Sequence, residues 1–110
     1  MTRRELLIGT AMLAALPLMG GSAAVAEPRT HRIEMRNMRF GPVPANIKAG
    51  DTIVWVNRDI VPHTATARDR SFDVVVPSRG SASMVVRRAG TIPFYCRYHP
   101  AMRDSLVAAR

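Results

Sequence analysis

Three side chains that bind transition metals recur at three-residue intervals near the C-terminus. They are Cys96, His99 and Met102, and Cys96 is the sole cysteine among 110 residues. A thiolate, an imidazole and a thioether are three of the four donors in a copper site built from two histidines, one cysteine and a distant methionine. The fourth donor must come from elsewhere, and His63, which follows Pro62, is the candidate. The chain must therefore fold so that two distant segments meet.

The spacing of these donors suits a metal that changes oxidation state. Cu(I) prefers sulfur and Cu(II) prefers nitrogen, so two imidazoles and a thiolate in a plane, with a distant thioether, accommodate both. Two residues between Cys96 and His99 permit a tight loop, and Pro100 stiffens the chain after it. Singly, each residue type is more often found in a core or on a surface, so the prediction rests on the whole set. The predicted metal ligands are His63, Cys96, His99 and Met102.

The first 26 residues have the pattern of a secretory signal peptide. Two arginines precede an apolar run at residues 6–19, and Ala24-Val25-Ala26 fits a cleavage site of small residues. The run is shorter than the roughly 20 residues of a membrane span. The paired arginines also resemble a twin-arginine signal, with the general secretory route as the alternative. We expect a signal peptide at residues 1–26 and one exported, periplasmic domain at residues 27–110, without stable membrane insertion.

The lone cysteine gives independent support for a metal. A single Cys96 cannot form a disulfide within the chain, and an unpaired thiol is a liability in an oxidising compartment. A bound metal would occupy the thiolate and would also stabilise a small exported domain.

The charge balance limits the classes of partner. Removal of residues 1–26 takes away two arginines and one acid, which leaves a formal charge of +7 on the domain. The basic residues are scattered rather than gathered in a stripe, so we expect no nucleic-acid partner. Two interpretations remain open: a solvated basic surface, or a surface that attracts an acidic partner and raises the encounter rate.

After residue 27 the chain has the pattern of an all-β domain. Runs rich in β-branched and aromatic residues alternate with Gly-, Pro- and Asp-containing turns, and no amphipathic helix of useful length is present. The predicted strands lie within residues 30–35, 46–48, 52–57, 64–67, 71–76, 82–87, 91–96 and 105–109, and residues 38–40 form a short step after the first of them. Short strands at close spacing are typical of a sandwich or a barrel. Pro93 within one of them predicts an edge position or an irregularity.

The apolar positions on one face of these strands are the core candidates. They are Ile33, Met35, Phe40, Ile47, Ile53, Trp55, Phe72, Val74, Met84, Val86, Phe94 and Val107.

The motif Cys96-x-x-His99-x-x-Met102, with Pro62-His63 upstream, resembles that of the cupredoxins, the small blue copper proteins. The short loop is similar to that of amicyanins, and residues 48–57 resemble the amicyanin and plastocyanin pattern. The resemblance spans residues 33–107. It implies a Greek-key β-sandwich of seven to eight strands, with one type 1 copper at one end. It also implies that the four residues of the motif are the ligands, with His99 the half-exposed one.

The chain departs from that family at two positions beside the ligands. These proteins often carry Asn directly after the first ligand histidine, where this chain has Thr64. Arg97 replaces the small polar residue that amicyanins place after the cysteine. The hydrogen bonds that orient the ligands are therefore expected to differ, with Asn57 a candidate to supply part of the bracing.

The resemblance implies a carrier of single electrons rather than an enzyme. Three histidines in the whole chain provide no second cluster for another copper site. The expected partners are other redox proteins, of the dehydrogenase or cytochrome c type, with an acidic docking face, and the chain is expected to be a monomer. The alternative is a copper-binding or copper-delivery module without a role in electron transfer.

Overall fold

The computed structural model describes residues 27–110, and the predicted signal peptide lies outside the described residues. This part of the chain is all-β and holds nine strands and no helix. No helix within it could therefore cross a membrane. The strands are β1 Thr30–Arg36, β2 Arg39–Phe40, β3 Ile47–Lys48, β4 Thr52–Asn57, β5 His63–Ala67, β6 Asp73–Val76, β7 Ser81–Val85, β8 Gly90–Tyr95 and β9 Arg103–Ala109.

The strands form two sheets that pack as a β-sandwich, as expected. One sheet has the order β2-β1-β4-β7 and the other β3-β9-β8-β5-β6. Two pairs, β1 with β4 and β3 with β9, are parallel, and the remaining pairs are antiparallel. The strand count exceeds the expected seven to eight because the step after β1 pairs with β1 and forms the two-residue strand β2.

The core lies between the sheets and is centred on aromatic rings. Trp55 and Phe94 are fully buried, and their ring centroids lie 5.2 Å apart in an edge-to-face arrangement. Phe40 and Phe72 pack against them from the sides. Edge-to-face aromatic pairs add to the stability that burial alone provides. This cluster fixes β4 against β8, the strands that lead into the two segments carrying the predicted ligands.

The core prediction was wrong at Val107, which is 58% exposed. Its neighbours Leu106 and Ala108 face the core instead. Side chains alternate along a strand, so a shift of one residue exchanges the two faces. The run from Leu106 to Ala109 is apolar at every position, so its alternation is set by pairing with β8, where Val107 lies opposite Thr91.

Pro93 does not lie in an edge strand, because β8 has β9 on one side and β5 on the other. Its carbonyl accepts the N–H of Arg68, immediately after β5 ends at Ala67. A proline cannot donate a ladder hydrogen bond. Strand β8 tolerates Pro93 because its pairing with β5 stops at this residue. This interruption is the irregularity that the proline predicted.

The strand order brings the two ligand-bearing segments together. Strands β5 and β8 are antiparallel neighbours, with Thr66 opposite Tyr95 and Ala67 opposite Phe94. The start of β5, which is His63, therefore lies beside the residues that follow β8, which begin with Cys96.

Candidate metal centre

Three of the predicted ligands meet at one end of the sandwich. Nδ1 of His63 lies 3.8 Å from Sγ of Cys96, and Nδ1 of His99 lies 3.7 Å from the same sulfur. The donor atoms of the three residues all lie within 4.8 Å of one another. His63 and Cys96 are fully buried, whereas His99 is partly exposed, as the resemblance implied.

These distances fit one metal ion shared by the three donors. With a metal–sulfur bond of about 2.3 Å and a metal–nitrogen bond of about 2.0 Å, as for Zn²⁺, donors 120° apart in a plane are separated by about 3.7 Å. The sulfur-to-nitrogen distances on both sides match this value. The centroids of the two imidazole rings lie 5.1 Å apart, and the ring planes are inclined by 76°.

The tautomer of His63 follows from its second ring nitrogen. Nε2 lies 2.8 Å from Oδ2 of Asp59. An ionised carboxylate only accepts hydrogen bonds, so Nε2 carries a proton, and in the neutral imidazole that binds a metal Nδ1 then presents its lone pair on the side of Cys96. A carboxylate on the far side of a ligand histidine fixes its orientation and makes it a stronger donor.

Asp59 remains ionised because of its own hydrogen bonds. Partial burial raises its pKa, but the hydrogen bonds from His63 and from the backbone N–H groups of Met38 and Asn37 outweigh burial and lower the pKa below its usual value. Asn37 and Met38 form the two-residue turn between β1 and β2, and both have positive φ, of 54° and 61°. Asp59 thus joins the first sheet to His63.

Asp59 is the functional residue that sequence reasoning missed. Its position four residues before a candidate ligand was the available signal. Its partners, however, come from a turn 21 and 22 residues earlier in the chain.

The loop from Cys96 to Met102 is closed on itself. The N–H of Cys96 donates to the carbonyl of Met102 at 3.0 Å, and the N–H of Met102 donates to that of His99 at 2.8 Å. The loop therefore begins and ends at one point in the fold. Met102 is buried, with 3% of its surface exposed.

Thr64, which stands in place of the asparagine after His63, makes two hydrogen bonds to the segment that begins at Cys96. The backbone N–H of Thr64 donates to Sγ of Cys96 at 3.3 Å, and its hydroxyl accepts the backbone N–H of Arg97 at 2.8 Å. Thr64 therefore ties the His63 segment to the Cys96 loop. Hydrogen bonds of this kind hold ligands in place.

Asn57 braces the first ligand segment rather than the loop. Its side-chain amide lies 2.8 Å from the carbonyl of Val61, with the carbonyls of Val76 and Pro77 at 3.3 and 3.2 Å. Its Oδ1 accepts the N–H of Asp59 at 2.8 Å. Asn57 thereby holds the chain between β4 and β5 in the shape that places both Asp59 and His63.

Comparisons with known proteins identify the family to which the chain belongs. The model of the family described as "Cupredoxin-like domain" matches residues 9–108. Amicyanin-alpha of Methylorubrum extorquens is 30% identical over 106 residues, which cover 89% of this chain and 86% of that protein. Amicyanin of Paracoccus denitrificans is 25% identical over 81 residues. That match covers 68% of this chain but only 62% of the relative's length.

Solved amicyanin structures share the fold. The Cu(I) form of an amicyanin variant superposes with a TM-score of 0.63 at 26% identity, covering 78% of this chain and 87% of that one. Amicyanin from Paracoccus versutus gives a TM-score of 0.60 at 22% identity over 78% and 85% of the two chains. The cluster of two histidines and one cysteine fits one type 1 copper per chain. The chain belongs to the cupredoxin family and is amicyanin-like.

Proposed function

We propose that this chain is a periplasmic electron carrier, exported through a signal peptide at residues 1–26, whose copper is held by His63, Cys96, His99 and Met102. One observation carries the proposal: two imidazole nitrogens flank a buried thiol sulfur at 3.8 and 3.7 Å. A bound copper supplies a one-electron Cu(II)/Cu(I) couple, and this donor set accommodates both states with little rearrangement.

The protein's contribution is to keep the donors in place. The Asp59 carboxylate orients His63, and the N–H of Thr64 donates to the sulfur of Cys96. The closed loop holds His99 and Met102 relative to Cys96. Burial of two of the three donors excludes water from that side, so few solvent molecules reorganise when the charge changes.

Electrons would enter and leave at the partly exposed ring of His99. The surface beside it includes Pro62, Tyr98, Pro100 and Ala101, which are exposed. A small apolar surface of this kind supports the weak, transient contacts that redox proteins use. We propose that the partners are redox proteins of the dehydrogenase or cytochrome c type, that the protein acts as a monomer, and that it is not an enzyme.

The colour of the copper-loaded protein tests this function. We expect the purified protein to bind one equivalent of Cu(II) and to turn intensely blue, because a short thiolate-to-Cu(II) bond gives strong charge-transfer absorption. The colour should disappear on reduction and return on oxidation. The Cys96→Ser variant should stay colourless.

Met102 has a matched control on the same chain. Met102→Leu should keep the blue colour but shift the reduction potential, because a weak thioether donor tunes the relative stability of Cu(II) and Cu(I). Met38→Leu changes an exposed methionine outside the loop and should leave the potential unchanged. A pale Cu(II) form would favour a copper-delivery module, and a second copper per chain would favour an enzyme.

A further inference from the structure

Four residues around the Cys96 loop form a closed ring of hydrogen bonds. The backbone N–H of Arg97 donates to Oγ1 of Thr64 at 2.8 Å, and this oxygen lies 2.9 Å from Oγ1 of Thr66. The Thr66 hydroxyl donates to Oδ1 of Asp73 at 2.7 Å. The same carboxylate oxygen accepts Nε–H of the Arg97 side chain at 3.0 Å. The ring begins and ends at Arg97, the residue directly after Cys96.

The chemistry of the four groups fixes the direction of every hydrogen bond. The Asp73 carboxylate only accepts hydrogen bonds, so the Thr66 hydroxyl donates its hydrogen to Asp73. Thr66 must then accept from Thr64, and the Thr64 hydroxyl is left with lone pairs for the N–H of Arg97. Hydrogen bonds that point the same way along a chain strengthen one another. The negative charge at the end of this chain therefore strengthens the contact beside Cys96.

The ring connects the surface to a buried position. Thr64 and Thr66 are 0% and 1% exposed, whereas the side chains of Asp73 and Arg97 are 42% and 36% exposed. A buried hydroxyl without a partner is costly, so the threonine pair requires an acceptor. Hydrogen bonding from Thr66, with a further contribution from Arg97, lowers the pKa of Asp73 and keeps it an acceptor.

We propose that Asp73 and Thr66 are positioning residues for the copper site, acting through Thr64 and Arg97 on the thiolate of Cys96. Within residues 27–110, neither side chain hydrogen-bonds to a predicted ligand. They hold the threonine whose N–H donates to the sulfur, and they hold the backbone of the residue that follows the sulfur. This inference rests on the proposed function, because it assigns a role towards the copper that the site would bind.

Substitutions at Thr66 and Asp73 separate this role from a simple charge effect. Thr66→Val keeps the shape and the net charge but removes the hydroxyl, while Thr66→Ser restores it. Asp73→Ala removes the acceptor from the exposed end of the ring, and Thr66→Val, which removes the buried hydroxyl itself, keeps the test valid if loss of this acceptor unfolds the domain. Asp69→Asn is the control, because Asp69 also pairs with an exposed arginine, Arg88, and lies on the same hairpin outside the ring.

Hydrogen exchange of the metal-free protein is the first measurement. In Thr66→Val and Asp73→Ala the amides of Thr64 and Arg97 should exchange about tenfold faster than in the wild type, which corresponds to about 1.4 kcal/mol. Thr66→Ser and Asp69→Asn should leave both amides at the wild-type rate. Unchanged protection in Thr66→Val and Asp73→Ala would overturn the proposal.

Copper binding is the second measurement. Affinity for Cu(I), measured by competition with a chelator, should fall about tenfold in Thr66→Val and Asp73→Ala, the lower limit for residues that orient ligands. The charge-transfer band should shift in both variants and recover in Thr66→Ser. If the wild type lacks the band, the proposed function fails. If the wild type has it and Thr66→Val keeps the same band and affinity, the positioning role fails instead.

Discussion

Nε2 of His63 lies 2.8 Å from Oδ2 of Asp59, and the same carboxylate accepts two backbone N–H groups from the turn between β1 and β2. One side chain thus orients a predicted ligand and closes a turn of the opposite sheet. The copper end of the sandwich is therefore braced across both sheets rather than within one.

Asp59→Asn should weaken Cu(II) binding about tenfold. A carboxylate hydrogen-bonded to the far nitrogen makes an imidazole a better donor, and an amide does so less. Because Cu(II) depends on nitrogen donors more than Cu(I) does, the reduction potential should rise. Glu34→Gln removes the same charge from a residue that pairs with Arg36 and Arg58 rather than with His63. Equal shifts in the two variants, measured by voltammetry, would contradict a specific role for Asp59.

Most of the fold could be predicted because each strand carries its own local signal. Strand β4 has the predicted limits, residues 52–57, and its β-branched residues flank the only tryptophan. Strand β9 shows where local signals fail. A run that is apolar at every position contains no alternation, so the face of Val107 depends on pairing with β8.

The candidate site also contains some residues that could be predicted from the sequence and others that could not. The sequence predicts that three donors meet, because their types and spacing can be read directly from it. The structure brings together the donor atoms of His63, Cys96 and His99. Assignment of Met102 as a ligand remains a prediction. Asp59 offers only its spacing from His63 as a signal, and Thr66 and Asp73 offer none, because aspartates and threonines occur throughout the chain. Their roles arise from contacts between segments that only the folded sheets bring together.

The turn between β1 and β2 is a site where stability can be raised. Met38 has a φ of 61°, which places it in the left-handed conformation. Its side chain is 42% exposed, so burial offsets little of the cost of this conformation. Glycine adopts this conformation without steric cost. Met38→Gly should therefore stabilise the protein by about 0.5–1 kcal/mol, measured by urea unfolding monitored through Trp55 fluorescence.

A glycine placed in a regular strand is the control for that prediction. Arg32 is exposed in β1, and Arg32→Gly should destabilise the protein by about 0.5–1 kcal/mol. If both variants destabilise equally, the backbone of Met38 is not under the strain that its φ indicates.

Acid should weaken the end of the sandwich opposite the metal centre. Oδ1 of Asp51 accepts the N–H of Arg29, and Oδ2 lies 2.8 Å from Nε2 of His31 and accepts the N–H of Lys48. The backbone hydrogen bond from Arg29 and the side-chain hydrogen bond from His31 contribute most to lowering the pKa of Asp51 to about 2. A lowered pKa means that the unfolded chain binds the proton first. The stabilisation by Asp51 is therefore complete above about pH 4 and is lost as the pH falls towards 2.

In the Asp51→Asn variant the free energy of unfolding should depend less on pH than in the wild type. At neutral pH the variant should be less stable by about 1–3 kcal/mol, because one of the two acceptor oxygens becomes an amide NH2 group that cannot accept from these partly buried donors. Between pH 4 and pH 2 the gap to the wild type should narrow. Asp104→Asn is the control, because it changes an exposed carboxylate that accepts the N–H of Ser105, the next residue. A constant gap across this range, measured by thermal unfolding, would contradict the assigned role of Asp51.

The excess of positive charge predicts how the rate of electron exchange with charged reagents depends on the salt concentration. The domain carries a formal charge of +7, and Glu34, Asp69 and Asp73 are already paired with arginines. Its field extends about 30 Å at 0.01 M salt but only about 8 Å at 0.15 M. Oxidation of the reduced copper protein by ferricyanide, a trianion, should therefore slow about tenfold between these conditions. Oxidation by a cationic cobalt(III) complex should accelerate, and rates that change in the same direction for both reagents would argue against an acidic partner.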